Sequence, residues 1–194
     1  MMKKIIVIDN IINKQEQENI KNKLVGDDGI NWFFQNDVSI KNNLRQRRPG
    51  FCHHFYRHNN INSDVYYLIE QIITNTVKKL KWKTYSVNDL IEARTFLQLP
   101  LNKKFTGSGV DTPHLDRTTP HTVFLYYVTD SDGDTIIYDY KSKDENDIPY
   151  FEDVKELKRI TPKQGRVVVF DGMYWHTAEQ PTSDVRCIIN VNVK

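Results

Sequence analysis

The chain has 194 residues, which is long enough for one domain with a hydrophobic core that needs no disulfides to hold it together. Its 27 Lys and Arg nearly balance its 25 Asp and Glu, so the charge excludes a strongly basic nucleic-acid-binding protein and selects no partner. With two cysteines and no stretch typical of a signal peptide or a membrane span, we expect a cytoplasmic protein without a membrane partner.

The first 90 residues predict one strand and two helices. The apolar run at residues 3–8 is typical of a strand. Asn13, with Glu16 three residues later, forms the sequence signature of a capping box and predicts a helix that ends near Leu24. A second helix is predicted from Ser63, a good N-cap. Its apolar residues recur every three or four positions: Val65, Leu68, Ile69, Ile72, Ile73, Val77 and Leu80.

Beyond residue 90 the sequence changes to short β-type runs separated by Pro, Gly, Asp and Ser. The predicted strands are residues 91–99, 122–128, 135–139, 166–170 and 185–193. No linker or repeat separates the two halves, so we predict a single domain over residues 1–194. Residues 1–90 are expected to form an α/β support, and residues 91–194 a β core. The fold class is therefore mainly β with α, a barrel buttressed by the N-terminal helices.

The last predicted strand alternates between polar and apolar residues. If Arg186 points inward, then Ile188, Asn190 and Asn192 share its face. The intervening residues, such as Ile189, are apolar and belong to the opposite face. A sheet with its apolar side toward helices and its polar side inward is typical of a ligand-holding barrel, so the pattern predicts a cavity.

Three residues form a candidate iron site. His114 and Asp116 are separated by one residue, so on an extended segment both point to the same face. His176 supplies a second imidazole from a distant segment. Two neutral nitrogens and one carboxylate suit Fe(II) and leave about three octahedral positions open for chemistry. We therefore predict that these three residues bind the metal and form the catalytic centre.

Further motifs accompany these metal ligands. They are Arg186, ten residues after the distal histidine, the pair Tyr126 and Tyr127, the turn at 131–135 and the run at 162–170. Together the motifs resemble the 2-oxoglutarate- and Fe(II)-dependent dioxygenases, specifically the prolyl-hydroxylase-like branch, over about residues 93 to 193. One glycine of the family's Gly-Gly-x-Thr turn is Asp132 here, so we expect that turn to differ.

The resemblance implies a double-stranded β-helix, which is a jelly-roll or cupin-like barrel. It also implies that 2-oxoglutarate is the cosubstrate, whose keto-acid end binds Fe(II) and whose distal carboxylate pairs with Arg186 and accepts a hydrogen bond from Tyr127. A guanidinium suits this role because it offers several donors and does not lose its charge. Gln98 and Asn190 are further candidates for the cosubstrate pocket, and ascorbate is a candidate reductant.

The implied reaction is hydroxylation of a C–H bond with release of succinate and CO2. By resemblance the substrate is a protein or peptide side chain. One alternative is oxidative demethylation of a nucleic-acid base, but those enzymes carry a second Arg at a position that is Asn192 here. The other alternative is a barrel that binds a metal and a partner without catalysis. Neither the oxidised group nor the oligomeric state is predicted by the sequence.

The remaining histidines and loops have less specific interpretations. Residues 45–58 combine arginines and aromatics and are interpreted as a loop on the substrate side. Residues 101–112 and 141–150 are interpreted as flaps over the active site. Trp175 is expected to face away from the metal. Four histidines are expected to be structural or solvated: His53, His54, His58 and His121.

Overall fold

The structure is a computed structural model that describes residues 5–27, 29–38, 48–82, 89–101, 109–143, 147, 149–150 and 153–194. Within these residues there are two helices, α1 (Lys14–Val25) and α2 (Tyr67–Leu80). The strands are β1 (Ile6–Ile8), β2 (Phe33–Gln35), β3 (Gly50–Arg57), β4 (Asn60–Ile61), β5 (Leu90–Gln98), β6 (Thr122–Tyr127), β7 (Thr135–Lys141), β8 (Glu156–Ile160), β9 (Val167–Asp171), β10 (Tyr174–Ala178) and β11 (Arg186–Val193).

Two antiparallel sheets form the body of the protein. The larger sheet has the order β1-β9-β6-β11-β5-β3-β2, with β4 paired to β3, and the smaller has the order β10-β7-β8. His114 pairs with His176 in an isolated bridge, which brings the segment before β6 alongside β10. Strands from the first 60 residues are therefore built into the same sheet as the C-terminal strands. The single-domain assignment remains a prediction.

The helices cover the outer face of the larger sheet. Ile20 and Leu24 of α1 and Ile69, Ile72 and Ile73 of α2 belong to one buried cluster with outward-facing side chains of β3, β5, β6, β9 and β11. Burying such side chains is the main stabilising term for helices of this length. The predicted support of the sheet by N-terminal helices is thus confirmed. In the described residues, no helix is both long and apolar enough to cross a bilayer.

Both predicted helices form, but one begins later than expected. α1 has the predicted capping box, in which Asn13 accepts from the backbone N–H of Glu16 and Glu16 accepts from that of Asn13. α2 begins at Tyr67 rather than just after Ser63. The Ser63 hydroxyl contacts the His53 ring and the backbone N–H of Val65, so it stabilises a turn before the helix instead of capping it.

Strand β11 has the predicted alternation. Arg186, Ile188 and Asn190 line the interior cavity. Ile189 and the other residues of the opposite face belong to the helix-covered core. Asn192 shares the inward face but is fully buried and lies outside the cavity lining. A second cluster, which includes Val168 of β9 and Ile137 of β7, fills the space between the two sheets at one end.

The segment that was interpreted as a substrate-side loop is largely a strand. Residues 50–57 form β3, which lies between β2 and β5 inside the larger sheet. The loop interpretation was wrong because polar residues of this strand have partners: His53 contacts the carbonyl oxygen of Asn31 and the hydroxyl of Ser63. Residues 45–47 lie outside the described residues, as do 102–108 and most of 144–148 in the two predicted flaps.

Candidate metal and cosubstrate site

The three predicted metal ligands converge on one point. Their ligand atoms all lie within 4.8 Å of one another. Nε2 of His176 is 3.7 Å from Oδ2 of Asp116, and Nε2 of His114 is 4.0 Å from Oδ1 of the same carboxylate. The antiparallel bridge between the two histidines produces this convergence, because residues paired in this way project to the same face of a sheet.

The hydrogen bonds of the two imidazoles select the tautomer that binds metal. Nδ1 of His114 is 3.1 Å from the carbonyl oxygen of Thr112, and Nδ1 of His176 is 3.1 Å from that of Tyr174. Since a carbonyl oxygen can only accept, we assign the proton to Nδ1 in both rings. Each neutral ring then presents the lone pair of Nε2 to the shared point, as metal-binding histidines do.

The side chain of Asp116 is almost fully buried, and two other side chains donate hydrogen bonds to its carboxylate. Nη2 of Arg94 donates to Oδ1 at 2.9 Å, and Nδ2 of Asn190 donates to Oδ2 at 2.9 Å. Burial alone raises the pKa of Asp116, but His176 and Arg94 outweigh that effect, with smaller contributions from His114 and Asn190. The pKa therefore lies well below its usual range, and the carboxylate is ionised at neutral pH.

Burial has the opposite consequence for His176. It lowers the pKa of this imidazole to about 4, helped by the neighbouring His114 and opposed by Asp116. The ring is therefore neutral at physiological pH. A neutral imidazole and an ionised carboxylate are the forms that bind a metal, so no protons need to be displaced from these two groups on metal binding. Two nitrogens and one carboxylate oxygen fit Fe(II).

A buried guanidinium lies farther along β11 in the same cavity. Arg186 is 5% exposed, and its three nitrogens donate to the carbonyl oxygen of Gly133, the amide oxygen of Gln98 and the hydroxyl of Thr135 at 2.8 to 2.9 Å. All three acceptors are neutral, and among the described residues no carboxylate lies within ion-pair distance of Arg186. Burial lowers the pKa of this guanidinium. A buried cation of this kind fits an anionic ligand.

The turn that precedes β7 is shaped around this guanidinium. A Cβ added to Gly133 would lie 2.7 Å from the carbonyl oxygen of Glu179 and 3.0 Å from Cδ of Arg186, so only glycine allows this approach. Asp132 accepts hydrogen bonds from the backbone and hydroxyl of Thr182 and ties the turn to the segment before β11.

The metal residues and Arg186 open into one cavity of about 400 Å³, which is the size of a small-molecule site. Its deeper wall is apolar and includes Val123, Leu125, Phe170 and Ile188. Its polar residues outside the metal cluster include Gln35, Asp37, His54, Arg57, Gln98 and Asp111. The cavity therefore brings together the three candidate metal ligands, a guanidinium and an apolar wall.

No protein-family model matches the sequence, and no curated protein matches it. Solved structures match over nearly the whole chain. A 2OG-Fe(II) oxygenase family oxidoreductase from Burkholderia pseudomallei has a TM-score of 0.66 at 8% identity, covering 97% of this chain and 84% of that one. The viral collagen prolyl hydroxylase of Paramecium Bursaria Chlorella virus-1, in its 2OG complex, has 0.57 at 14% identity, covering 99% and 97%. The non-heme alpha ketoglutarate dependent carbocyclase SnoK from nogalamycin biosynthesis has 0.62 at 13% identity, covering 97% and 78%.

This chain has the fold of the 2-oxoglutarate- and Fe(II)-dependent oxygenases. The predicted double-stranded β-helix is confirmed, since the structural matches and the two antiparallel sheets agree. At 8 to 14% identity these matches show the fold of the oxygenases and leave the substrate open.

Two further residues that were predicted to line the cosubstrate pocket, Tyr127 and Asn190, have contacts that differ from the expected ones. The hydroxyl of Tyr127 donates to Thr135 at 2.8 Å, and the ring is fully buried. Tyr127 and Arg186 therefore share one acceptor, and direct contact of Tyr127 with 2-oxoglutarate stays a prediction. Asn190 faces the cavity but donates to Asp116, so the contact it makes here is with a metal ligand rather than with a cosubstrate pocket.

Sequence reasoning missed several residues of this cavity. Arg94, which donates to Asp116, lies directly opposite Asn190 in the pairing of β5 with β11. It lies four residues before Gln98 on the same strand, so the alternation of side chains along β5 would have placed Arg94 on the same face as Gln98. His54 was expected to be structural or solvated, yet it lines the cavity. Asp111 and Arg48 form a buried ion pair at 2.9 Å, and no sequence pattern links two residues so far apart.

Proposed function

We propose that this protein is an Fe(II)- and 2-oxoglutarate-dependent oxygenase that hydroxylates a C–H bond in a protein or peptide side chain, releasing succinate and CO2. One observation carries the proposal. The histidine and aspartate ligands and the buried Arg186 line the same cavity, so a dicarboxylate held by the guanidinium can also reach the metal.

The chain's own residues have clear tasks in this reaction. His114, Asp116 and His176 hold the iron on one side and leave its other positions open. When bound, iron supplies the oxidising chemistry that couples oxidative decarboxylation of 2-oxoglutarate to C–H hydroxylation. Arg186 binds the distal carboxylate and fixes the direction in which the keto acid enters.

The apolar wall keeps water away from the reacting atoms. Leu125, Phe170 and Ile188 are buried and line the cavity between the two anchoring sites. A dry wall strengthens the pairing of a carboxylate with Arg186, because charge pairs are weaker in water than in a protein interior. It also protects reactive species from side reactions with solvent.

A peptide substrate is favoured over a nucleic acid by two observations. One of the matching structures is described as a viral collagen prolyl hydroxylase. Asn192, at the position of the second arginine of base demethylases, is fully buried and does not reach the cavity, so neither its chemistry nor its place suits contact with a base. The chain's small formal charge of +2 is consistent with this choice.

Turnover of 2-oxoglutarate to succinate tests the reaction. Purified protein with Fe(II), ascorbate and oxygen should convert 2-oxoglutarate to succinate, because these enzymes are expected to decarboxylate slowly even without a substrate. A chelator should stop the conversion, and added Fe(II) should restore it. Absence of both iron-dependent turnover and iron-dependent binding of 2-oxoglutarate would contradict the proposal.

The same assay identifies the substrate class. A pool of proline-containing peptides should accelerate succinate formation, and mass spectrometry should find peptides heavier by one oxygen atom. A methylated single-stranded oligonucleotide serves as the competing substrate. Acceleration and loss of its methyl group with the oligonucleotide alone would overturn the peptide proposal and leave the oxygenase proposal standing.

A further inference from the structure

Four buried polar side chains connect the cavity wall to Arg186. Nε of Arg48 lies 2.9 Å from Oδ1 of Asp111. The other oxygen of this carboxylate, Oδ2, accepts a hydrogen bond from Nε2 of Gln98 at 3.0 Å. The amide oxygen of Gln98 in turn accepts from Nη1 of Arg186 at 2.8 Å. None of the four is more than 6% exposed. The backbone carbonyl oxygen of Arg48 also accepts a hydrogen bond from the backbone N–H of Val38, a residue that lines the cavity.

Within the described residues, the four side chains of this network carry two cations, Arg48 and Arg186, and one carboxylate, Asp111. Arg48 and Asp111 neutralise each other across 2.9 Å. Gln98 is neutral, so it connects Asp111 to Arg186 without placing a carboxylate on the guanidinium. Arg186 therefore keeps a whole positive charge in a buried cavity, which is what a distal carboxylate needs in order to bind there.

The ion pair also fixes the direction of the Gln98 amide. An ionised carboxylate can only accept, so Asp111 holds the amide NH2 group of Gln98 and turns the amide oxygen toward Arg186. The reversed amide would place its NH2 group against the N–H groups of Arg186. The orientation of the guanidinium thus depends on Asp111 remaining an ionised acceptor.

We infer that Arg48 and Asp111, acting through Gln98, are positioning residues that hold Arg186 ready for the distal carboxylate of 2-oxoglutarate. This inference rests on the proposed function. Without Arg48, Asp111 has two options, and both impair the site. If Asp111 stays charged, its unscreened carboxylate repels the incoming dicarboxylate. If it takes up a proton, it becomes a donor and no longer fixes the Gln98 amide.

Calorimetric titration of Mn(II)-loaded protein with 2-oxoglutarate tests this role without relying on activity. Arg48→Gln should weaken 2-oxoglutarate binding by at least about tenfold, the effect of losing one good charged contact. The double variant Arg48→Gln/Asp111→Asn removes both charges and keeps an acceptor for Gln98, so its affinity should return to within about threefold of the wild type. The double variant also keeps the test decisive if the single variant fails to fold.

Two controls separate positioning from general damage. Oxalate chelates a metal but has no distal carboxylate to reach Arg186, so its affinity should be the same in Arg48→Gln as in the wild type. Arg166→Gln removes a different arginine ion pair, at 2.6 Å from Asp9 and outside the cavity lining, and should leave 2-oxoglutarate binding unchanged.

The outcomes distinguish this inference from the proposed function. If the wild type binds 2-oxoglutarate and folded Arg48→Gln binds it equally well, the positioning role is overturned while the oxygenase proposal stands. Equal weakening of oxalate and 2-oxoglutarate, or a folded double variant that binds as poorly as the single one, also overturns the positioning role. If the wild type shows no metal-dependent binding, both proposals fail.

Discussion

At the scale of single residues, the candidate site places metal binding and anion binding on different side chains. Asp116 is the only anionic member of the metal cluster, and Arg94 and Asn190 hold both of its oxygens. Among the described residues, Arg186 donates only to neutral acceptors, which suits it to bind an anionic ligand. Removing one of these side chains should therefore impair a different step from removing the other.

Substitution of these two residues should give distinguishable losses. Asp116→Ala removes the anionic ligand, so metal binding and succinate formation should both be abolished. Arg186→Ala should keep the metal but raise the KM for 2-oxoglutarate by at least about tenfold, because one charge-assisted contact is lost. Metal titration and steady-state kinetics measure the two effects, with Arg166→Gln as the control. Equal, mild effects of both substitutions would contradict the assigned roles.

The convergence of His114, Asp116, His176 and Arg186 on one cavity could be predicted from the sequence, because short, fixed spacings mark these residues. His114 and Asp116 are separated by one residue, and Arg186 follows His176 by ten residues. The ion pair of Arg48 with Asp111 could not be predicted, because it depends on how the residues before β3 approach the segment before β6. Long-range contacts of this kind carry no periodic signal in a single sequence.

At the scale of secondary structure, helix α2 stabilises the sheet from outside without touching the site. Its buried side chains, among them Ile69, Ile72 and Ile73, pack into the same core as the outward face of β11. Periodicity predicted this face correctly. Periodicity did not predict β3, since the histidines and the arginine of that strand conceal its alternation of polar and apolar residues. It also placed the start of α2 too early, because Ser63 stabilises a turn before the helix.

A core substitution in α2 should therefore reduce stability without changing ligand binding. Ile72→Ala should lower the free energy of unfolding by about 2 to 5 kcal/mol, because it leaves a cavity in a closely packed cluster. Thr74 is exposed on the same helix, and Thr74→Ala should change stability by no more than about 0.5 kcal/mol. Urea unfolding measures both. A marked loss of 2-oxoglutarate affinity in folded Ile72→Ala would contradict the separation of core and site.

At the scale of the whole molecule, the cavity exists because the two sheets converge around residues from distant parts of the chain. The candidate metal ligands come from the segment before β6 and from β10, while Arg186 comes from β11. Strands β1 and β3 extend the larger sheet by pairing with β9 and β5. Composition and strand spacing predicted this architecture, but the order of strands depends on contacts between the halves that the sequence does not display.

The central claim is that one cavity holds the metal and the dicarboxylate together, and a crystal structure with Mn(II) and 2-oxoglutarate, grown without oxygen, tests it most directly. Anomalous density should show one metal ion bound by His114, Asp116 and His176, with the keto acid on its open side and the distal carboxylate on Arg186. A metal ion bound elsewhere, or a dicarboxylate that does not reach Arg186, would contradict the account.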